Sequence, residues 1–258
     1  MSKPNGARLS VGRVVQHLRY LRRQRAFVRS DADGLSKSER QILIKKFALI
    51  DKYIPSGHSP GELFFICQKI LGLKIDGPIV ECGTYKGASA AKLSLVAKLM
   101  RRELFICDSF MGLPERTEGQ IYHRTDNAFR RFEPGEYEGS LEEVRHNIGM
   151  WGALESCRFV EGLFSETLPT LQVGPALVFM DVDYVSSARD CLVHLWPQLL
   201  ASGYFFTHEA QFVEFVRGIC DSQWWHDNLG ECPPILYGAG YGVDTTLAPY
   251  LAYFEKGD

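Results

Sequence analysis

Apolar residues recur at helical spacing near the start of the chain. The positions of this first stripe are Val11, Val14, Val15, Leu18 and Leu21. Their spacing predicts an amphipathic helix within residues 1–30. Ser36 and Glu39 have the pattern of a capping box, which predicts a second helix that runs to about Lys52. A third helix is expected at residues 61–71, after a turn rich in proline and glycine.

From Gly77 onward, short apolar runs alternate with segments of helical pattern. The predicted strands are residues 78–82, 104–108, 158–161, 176–181 and 203–207, followed by an antiparallel pair at 235–237 and 249–254. In this part of the chain, one predicted helix ends near Met100 and another begins at Ser140. Two more cover residues 187–200 and 212–225. Such alternation is typical of a mostly parallel sheet with helices on both faces. The pattern therefore predicts an α/β fold.

Composition and charge exclude several classes of protein. The 258 residues are 45% hydrophobic, which is enough apolar material for one sizeable core. The net charge of −2 does not favour nucleic-acid binding, and no apolar run reaches the length of a membrane-spanning helix. The seven cysteines include no CxxC pair, so we expect neither a disulfide framework nor a cysteine zinc site. With no signal peptide pattern at the N-terminus, we expect a cytoplasmic protein.

Basic residues are concentrated in residues 1–30, which contain no acidic residue. They are Lys3, Arg8, Arg13, Arg19, Arg22, Arg23, Arg25 and Arg29. One interpretation is a contact with an anionic surface, a partner subunit or a phosphorylated substrate. The alternative is a solvated helix whose apolar stripe packs on the body of the protein or on a second subunit. We expect a homo-oligomer.

Acidic residues end the first two predicted strands, at the edge where doubly wound sheets bind ligands. Glu81 ends the first strand, and a glycine-containing turn leads from it to a helix that starts near Ser89. This turn is neither G-x-G-x-x-G nor a Walker motif, so it does not favour a phosphate group. Glu81 would attract an ammonium group, and the helix start would attract a carboxylate. Asp108 would accept hydrogen bonds from the hydroxyls of a ribose. Together these features favour an adenosylated amino acid over a dinucleotide.

Four ordered blocks within residues 75–215 resemble the macrocin O-methyltransferase family. The blocks are Val80–Ser89, Asp108-Ser109-Phe110 with Gly112-Leu113-Pro114, Phe159–Pro169, and Asp181-Val182-Asp183-Tyr184 with Ser186-Ser187. The resemblance implies a Rossmann-like class I methyltransferase fold and S-adenosylmethionine as the methyl donor. It also implies a small-molecule acceptor, typically a sugar hydroxyl of a natural product, and a divalent metal, usually magnesium, near that acceptor.

The resemblance assigns roles along the chain. The expected cofactor-binding residues are Glu81, Gly83, Thr84, Tyr85, Gly87, Ser89, Asp108, Ser109, Gly162, Phe164 and Asp181. Residues 1–74 are then a helical N-terminal extension on the oligomer or acceptor side. Residues 75–258 are the catalytic domain, and residues 115–138 form an insertion long enough to act as a lid.

The sequence departs from the family after the fifth strand, where His208-Glu209 stand in place of two adjacent acids. Asp183, His208 and Glu209 are the predicted catalytic and metal-binding residues. We expect a divalent cation, magnesium or manganese. A site with an imidazole ligand suits manganese, iron, cobalt or zinc better than magnesium. Two alternatives remain: His208 acts as a general base without metal on another small acceptor, such as a catechol-like or amino-group acceptor, or the metal site is lost. A catalytically idle relative that recruits partners is a further possibility.

Overall fold

The computed structural model describes residues 11–30, 35–58, 60–115, 118–124, 126–243 and 250–257. Residues 1–10 of the predicted basic helix, with Lys3 and Arg8, lie outside the described residues. Residues 116, 117 and 125 of the predicted lid and Pro249 of the last predicted strand lie outside them as well. No helix among the described residues is both long and apolar enough to cross a membrane.

Helices and strands alternate along most of the chain. The helices are α1 (Val11–Arg29), α2 (Lys37–Tyr53), α3 (Pro60–Gly72), α4 (Ala88–Leu99), α5 (Leu141–Trp151), α6 (Phe164–Thr167), α7 (Val185–Leu195), α8 (Val213–Ile219) and α9 (Ser222–Leu229). The strands are β1 (Ile79–Cys82), β2 (Leu104–Asp108), β3 (Ile121–His123), β4 (Ala128–Arg130), β5 (Cys157–Glu161), β6 (Leu177–Met180), β7 (Tyr204–Thr207) and β8 (Ala252–Glu255). Short 3₁₀ helices lie at Leu154–Ser156 and Leu168–Thr170.

The main sheet has the strand order β5-β2-β1-β6-β7-β8. Neighbouring strands run parallel except for β8, which pairs antiparallel with β7. β3 and β4 form a separate antiparallel hairpin within the predicted insertion. The predicted mostly parallel α/β fold is confirmed. Because the chain order reverses between β1 and β6, the carboxyl ends of these strands flank the crevice where such folds bind ligands.

Two predicted elements differ in detail from the structure. The helix expected at residues 212–225 is interrupted, because the Asp221 side chain accepts backbone N–H groups of Gln223 and Trp224 and so starts α9. The segment 235–237 makes only a bridge between Tyr237 and Tyr253, and the antiparallel partner of β8 is β7.

The N-terminal helices share a core with the sheet. The capping box predicted for α2 is confirmed: Glu39 N–H donates to the Ser36 hydroxyl, and Ser36 N–H donates to Glu39. The rings of Phe27 in α1 and Phe47 in α2 lie 5.2 and 5.5 Å from that of Phe64 in α3. These fully buried rings belong to one hydrophobic cluster with residues of β1, β2 and α4. This packing brings the loop before α3 to the carboxyl ends of the strands.

Candidate active site

A cavity of about 300 Å³ opens at the carboxyl ends of β1, β2, β6 and β7. Two walls face each other across it. The first, here the β1–β2 wall, is formed by the turns after β1, β2 and β5. Its lining residues are Gly83, Thr84, Tyr85, Ala88, Ser89, Asp108, Ser109, Gly112, Leu113, Pro114, Gly162, Leu163 and Phe164. The second, the β6–β7 wall, consists of His58, Asp181, Asp183 and His208. The insertion covers part of the opening with residues of the β3–β4 hairpin and the segment after it, including His123, Arg130 and Tyr137.

Backbone turns shape the β1–β2 wall. Gly83 has a φ of +82°, and a Cβ atom there would lie 1.9 Å from the carbonyl oxygen of Asp181. Only glycine therefore allows the turn after β1 to pass so close to the end of β6. Asp108 ties this turn to the chain after β2, since its carboxylate accepts the N–H groups of Thr84 at 2.7 Å and Phe110 at 2.8 Å.

Glu81 lies beneath this turn and is fully buried. Neither of its carboxylate oxygens makes a hydrogen bond of ordinary geometry with the described residues. Burial raises the pKa of Glu81 to about 8, and the nearby hydroxyls of Ser89 and Thr84 offset only part of this effect. Burying a carboxyl group without a hydrogen bond of ordinary geometry is costly, and a cationic ligand would offset that cost.

On the β6–β7 wall, two imidazoles meet one carboxylate. Nε2 of His58 lies 2.8 Å from Oδ2 of Asp181, and Nδ1 of His208 lies 3.4 Å from Oδ1 of the same group. The other ring nitrogen of His208, Nε2, lies 3.2 Å from Oε2 of Glu62, which is fully buried in α3. Residues from the loop before α3, from α3 itself and from the ends of β6 and β7 thus form one charged cluster.

The electrostatics of the cluster follow from this arrangement. Desolvation opposes ionisation of Asp181, but the imidazoles of His208 and His58 outweigh it and hold its pKa well below the ordinary range. Burial alone would lower the pKa of His208, whereas the carboxylates of Glu62 and Asp181 raise it well above its ordinary value. The charged forms of these groups therefore stabilise one another.

Glu209 faces away from the cavity and braces the chain after β6. Its Oε1 accepts the backbone N–H groups of Val182 at 2.6 Å and Asp183 at 3.2 Å, and its Oε2 contacts the hydroxyl of Thr207. Asp183 has a φ of +59° and lines the cavity. Burial and the Asp181 carboxylate raise the pKa of Glu209 to about 7. Burial also raises the pKa of Asp183, with Asp181 and Glu209 adding to the shift.

The insertion is docked on the same edge of the sheet. Glu118 accepts the N–H groups of Val185 at 2.9 Å and Ser186 at 2.8 Å, so it caps the N-terminus of α7 in place of a local side chain. The N–H group of Tyr122 donates to Glu214 in α8 at 2.7 Å. The β3–β4 hairpin is therefore held against the segments that follow β6 and β7.

A family model extends over this whole arrangement. The sequence model of the macrocin-O-methyltransferase (TylF) family matches residues 62–228, which include both walls of the cavity except His58. The chain belongs to this family. The match confirms the resemblance of the four ordered blocks, and it begins four residues after His58.

Two curated relatives carry the same type of activity in their names. The demethyldecarbamoylnovobiocin O-methyltransferase of Streptomyces niveus is 31% identical over 143 residues, which are 53% of this chain and 54% of that protein. The mycinamicin III 3''-O-methyltransferase of Micromonospora griseorubida is 30% identical over 138 residues, covering 50% of this chain and 54% of that protein. The matched part spans about half the length of each relative.

Solved structures show the same fold. The structure of the O-methyltransferase NovP superposes with a TM-score of 0.64 at 22% identity, covering 84% of this chain and 98% of that one. The calicheamicin methyltransferase CalS11 covers 100% of both chains with a TM-score of 0.53 and 16% identity. At these identities the likeness establishes the methyltransferase fold of this macrocin-O-methyltransferase family member.

Most of the residues expected to bind the cofactor line the cavity. They are Gly83, Thr84, Tyr85, Ser89, Asp108, Ser109, Gly162, Phe164 and Asp181. Glu81 and Gly87 do not line it: Glu81 is buried beneath the turn, and Gly87, with a φ of +83°, lies against Val144 of α5. Their contact with a cofactor stays a prediction.

The predicted metal ligands are not brought together as one set. His208 belongs to the cluster, but Asp183 stands outside it and the Glu209 carboxylate is engaged by backbone N–H groups. The group of described residues whose ligand atoms all lie within 4.8 Å of one another is His58, Asp181 and His208. Two imidazole nitrogens and one carboxylate oxygen do not fit magnesium, which prefers oxygen ligands.

Two members of this cluster were not selected from the sequence. A single histidine in a turn, such as His58, carries no motif. Glu62 was not singled out, although an acid within the apolar run of α3 is a signal in itself. Glu62 is fully buried there, and buried acids require a partner.

Proposed function

We propose that this protein transfers a methyl group from S-adenosylmethionine to a hydroxyl group of a small natural product, with a sugar hydroxyl as the first candidate. The observation that carries the proposal is the β1–β2 wall, where a buried carboxyl without a partner lies beside a cavity next to a helix N-terminus. The family membership and the O-methyltransferases among the relatives support it. A cytoplasmic location, a homo-oligomer and the division at residue 75 stay predictions.

The β1–β2 wall offers a partner for each part of the donor. Glu81 would pair with the ammonium group of the methionine moiety, and the N-terminus of α4 near Ser89 would face its carboxylate. Asp108 lines the cavity and accepts the N–H groups of Thr84 and Phe110, and its remaining lone pairs would accept the ribose hydroxyls. Phe164 and Gly162 would flank the adenine.

The β6–β7 wall would position the acceptor. Methyl transfer from a sulfonium is an in-line displacement, in which the acceptor oxygen must lie about 3 Å from the methyl carbon. Asp183 lines the cavity, and we propose that it accepts the hydroxyl proton while Glu209 holds its backbone in place. A divalent transition metal at this wall would act as a Lewis acid that lowers the pKa of the hydroxyl. Magnesium is not proposed, because the donor set does not fit it.

His208 is less suited to act as a free base. Both of its ring nitrogens face carboxylates, Asp181 on one side and Glu62 on the other. A proton taken from an acceptor would have to displace one of these contacts. The assignment of the proton to Asp183 avoids this cost.

Calorimetric titration with S-adenosylhomocysteine tests the donor part of the proposal. We expect micromolar binding that weakens in Asp108→Asn, and unchanged binding in Glu161→Gln. Glu161 is a matched control because it also ends a strand of the sheet but is exposed and does not line the cavity. Turnover is then measured with labelled S-adenosylmethionine and a panel of hydroxylated natural products. No binding of S-adenosylhomocysteine under any condition would overturn the proposal.

A further inference from the structure

The cluster on the β6–β7 wall has the geometry of a metal site with two imidazoles and one carboxylate. Ligand atoms of His58, Asp181 and His208 all lie within 4.8 Å of one another. The three residues come from separate segments: the loop before α3, the end of β6 and the end of β7. The ion pairs do not provide both imidazole rings with hydrogen bonds, because Nε2 of His58 and Nε2 of His208 make none of ordinary geometry.

The ring nitrogens that face away from Asp181 also have the surroundings expected in a metal site. A metal-binding imidazole usually donates its other N–H to a carboxylate or another acceptor, which fixes the ring and its tautomer. Nε2 of His208 faces the fully buried Glu62 at 3.2 Å, which leaves Nδ1 turned toward Asp181. Nδ1 of His58 lies 3.4 Å from the hydroxyl of Ser56, which leaves Nε2 turned toward Asp181.

The charges around the cluster favour a cation. The carboxylates of Glu62 and Asp181 interact electrostatically with His208. Asp181, Asp183 and Glu209 lie close enough to one another for each to feel the charge of another. Among the described residues that line the cavity, Arg130 is the one side chain with a permanent positive charge. Its guanidinium lies over the ring of Phe132 and contacts Tyr137, so it is not placed within the cluster.

We propose that His58, Asp181 and His208 bind one divalent transition metal ion, such as zinc, cobalt or iron(II), and that Glu62 orients His208 for this role. Imidazole nitrogen suits these ions, whereas magnesium prefers oxygen ligands. Three protein ligands leave positions open toward the cavity, where hydroxyl oxygens of an acceptor could bind. The metal site itself is independent of the proposed function, but its role at the acceptor rests on that function.

Metal titration of the full chain tests this site. The purified protein is stripped with a chelator and titrated with cobalt(II), whose visible absorption reports nitrogen ligands. We expect one cobalt per chain, displacement by zinc, and no displacement by millimolar magnesium. His58→Gln and His208→Gln should lose more affinity than Glu62→Gln, for which we expect a loss of ~10- to 100-fold.

The matched control is His123→Gln. His123 lines the same cavity, but its ring packs 5.0 Å from that of Phe212 and is not part of the cluster. This variant should bind cobalt like the wild type, and circular dichroism with thermal unfolding confirms that every variant is folded. The proposal is overturned if folded His58→Gln binds cobalt as tightly as the wild type, or if magnesium displaces cobalt. Because neither donor nor acceptor is present, this outcome is separate from that of the methyl-transfer test.

Discussion

The β1–β2 wall is formed by turns that come directly after strands in the sequence. The β6–β7 wall is formed by side chains from segments that are far apart in the sequence. Gly83 and the residues up to Ser89 come directly after β1, and Asp108 ends β2. His58 and His208, by contrast, lie 150 positions apart in the chain. The first wall is therefore specified locally, and the second depends on how the N-terminal helices pack on the sheet.

The largest effect on this comparison is expected from Gly83→Ala. The added Cβ would lie 1.9 Å from the Asp181 carbonyl at a φ of +82°, so backbone would have to move on both walls. We expect a loss of about 3–5 kcal/mol in the free energy of unfolding, measured by urea denaturation. Gly135→Ala is the matched control, because Gly135 has a φ of +80° with nothing within 4 Å of a Cβ. Equal losses in the two variants would show that the close approach at Gly83 has no energetic weight.

Glu81→Gln separates the two walls in function. Removing the carboxyl group that would ionise and pair with the ammonium group should weaken S-adenosylhomocysteine binding by ~10- to 100-fold, since a hydrogen bond to a charged group contributes about 1.5–3 kcal/mol. Cobalt affinity at the β6–β7 wall should stay at the wild-type value. Calorimetry measures the first and visible absorption the second. A loss of both in a folded variant would contradict the independence of the walls.

The pH dependence of binding sharpens this test. The pKa of Glu81 is about 8 in the free protein, so the carboxyl group carries its proton at neutral pH. An ammonium ligand requires the ionised form, and binding therefore releases a proton. Affinity should rise between about pH 6 and pH 8 and level off above pH 8, with a slope of at most ~10-fold per pH unit. In Glu81→Gln this rise should disappear, and its persistence would assign the proton to another group.

Glu209→Ala tests the brace behind the β6–β7 wall. The substitution leaves the buried N–H group of Val182 and the N–H group of Asp183 without their acceptor, which costs about 1–3 kcal/mol of stability. Since Asp183 loses its support, kcat should fall while S-adenosylhomocysteine affinity is retained. Glu209→Gln keeps a carbonyl oxygen in place and should recover much of both losses. Weakened donor binding in a folded Glu209→Ala protein would place Glu209 at the cofactor instead.

The smallest effect is expected from Glu118→Ala in the insertion. Glu118 caps α7 through Val185 and Ser186, and loss of a helix cap costs about 0.5–2 kcal/mol. Thermal unfolding measures this change. Glu133→Ala is the control, because Glu133 belongs to the same insertion and its ion pair with Arg131 is exposed. A loss as large in Glu133→Ala would show that the cap is not the cause.

Much of the fold could be predicted because local patterns determine it. β2 has the predicted bounds Leu104–Asp108, and the capping box of α2 is present as expected. The break between α8 and α9 was missed because an apolar stripe continues across Asp221, whose side chain nevertheless caps a new helix. At Asp221 the capping hydrogen bonds determine where the helix begins, although the apolar pattern predicts a continuous helix.

The β6–β7 wall could be predicted only in part for a different reason. The motif with Asp181 and Asp183 and the departure at His208 are visible in the sequence. The approach of His58 depends on the packing of Phe64 against Phe27 and Phe47, which positions α3 and the loop before it. No spacing rule encodes a contact across that distance in the chain. The direction of the Glu209 carboxylate likewise depends on the turn after β6.

The place of His58 in the chain has a consequence for how such enzymes diversify. It lies just upstream of the segment that the family model matches, in a short turn between two helices. In the metal site proposed above, a single codon change in this turn would add or remove a nitrogen ligand without touching the segment that the family model matches. The ion preference of the proposed site would therefore be open to mutation separately from that segment.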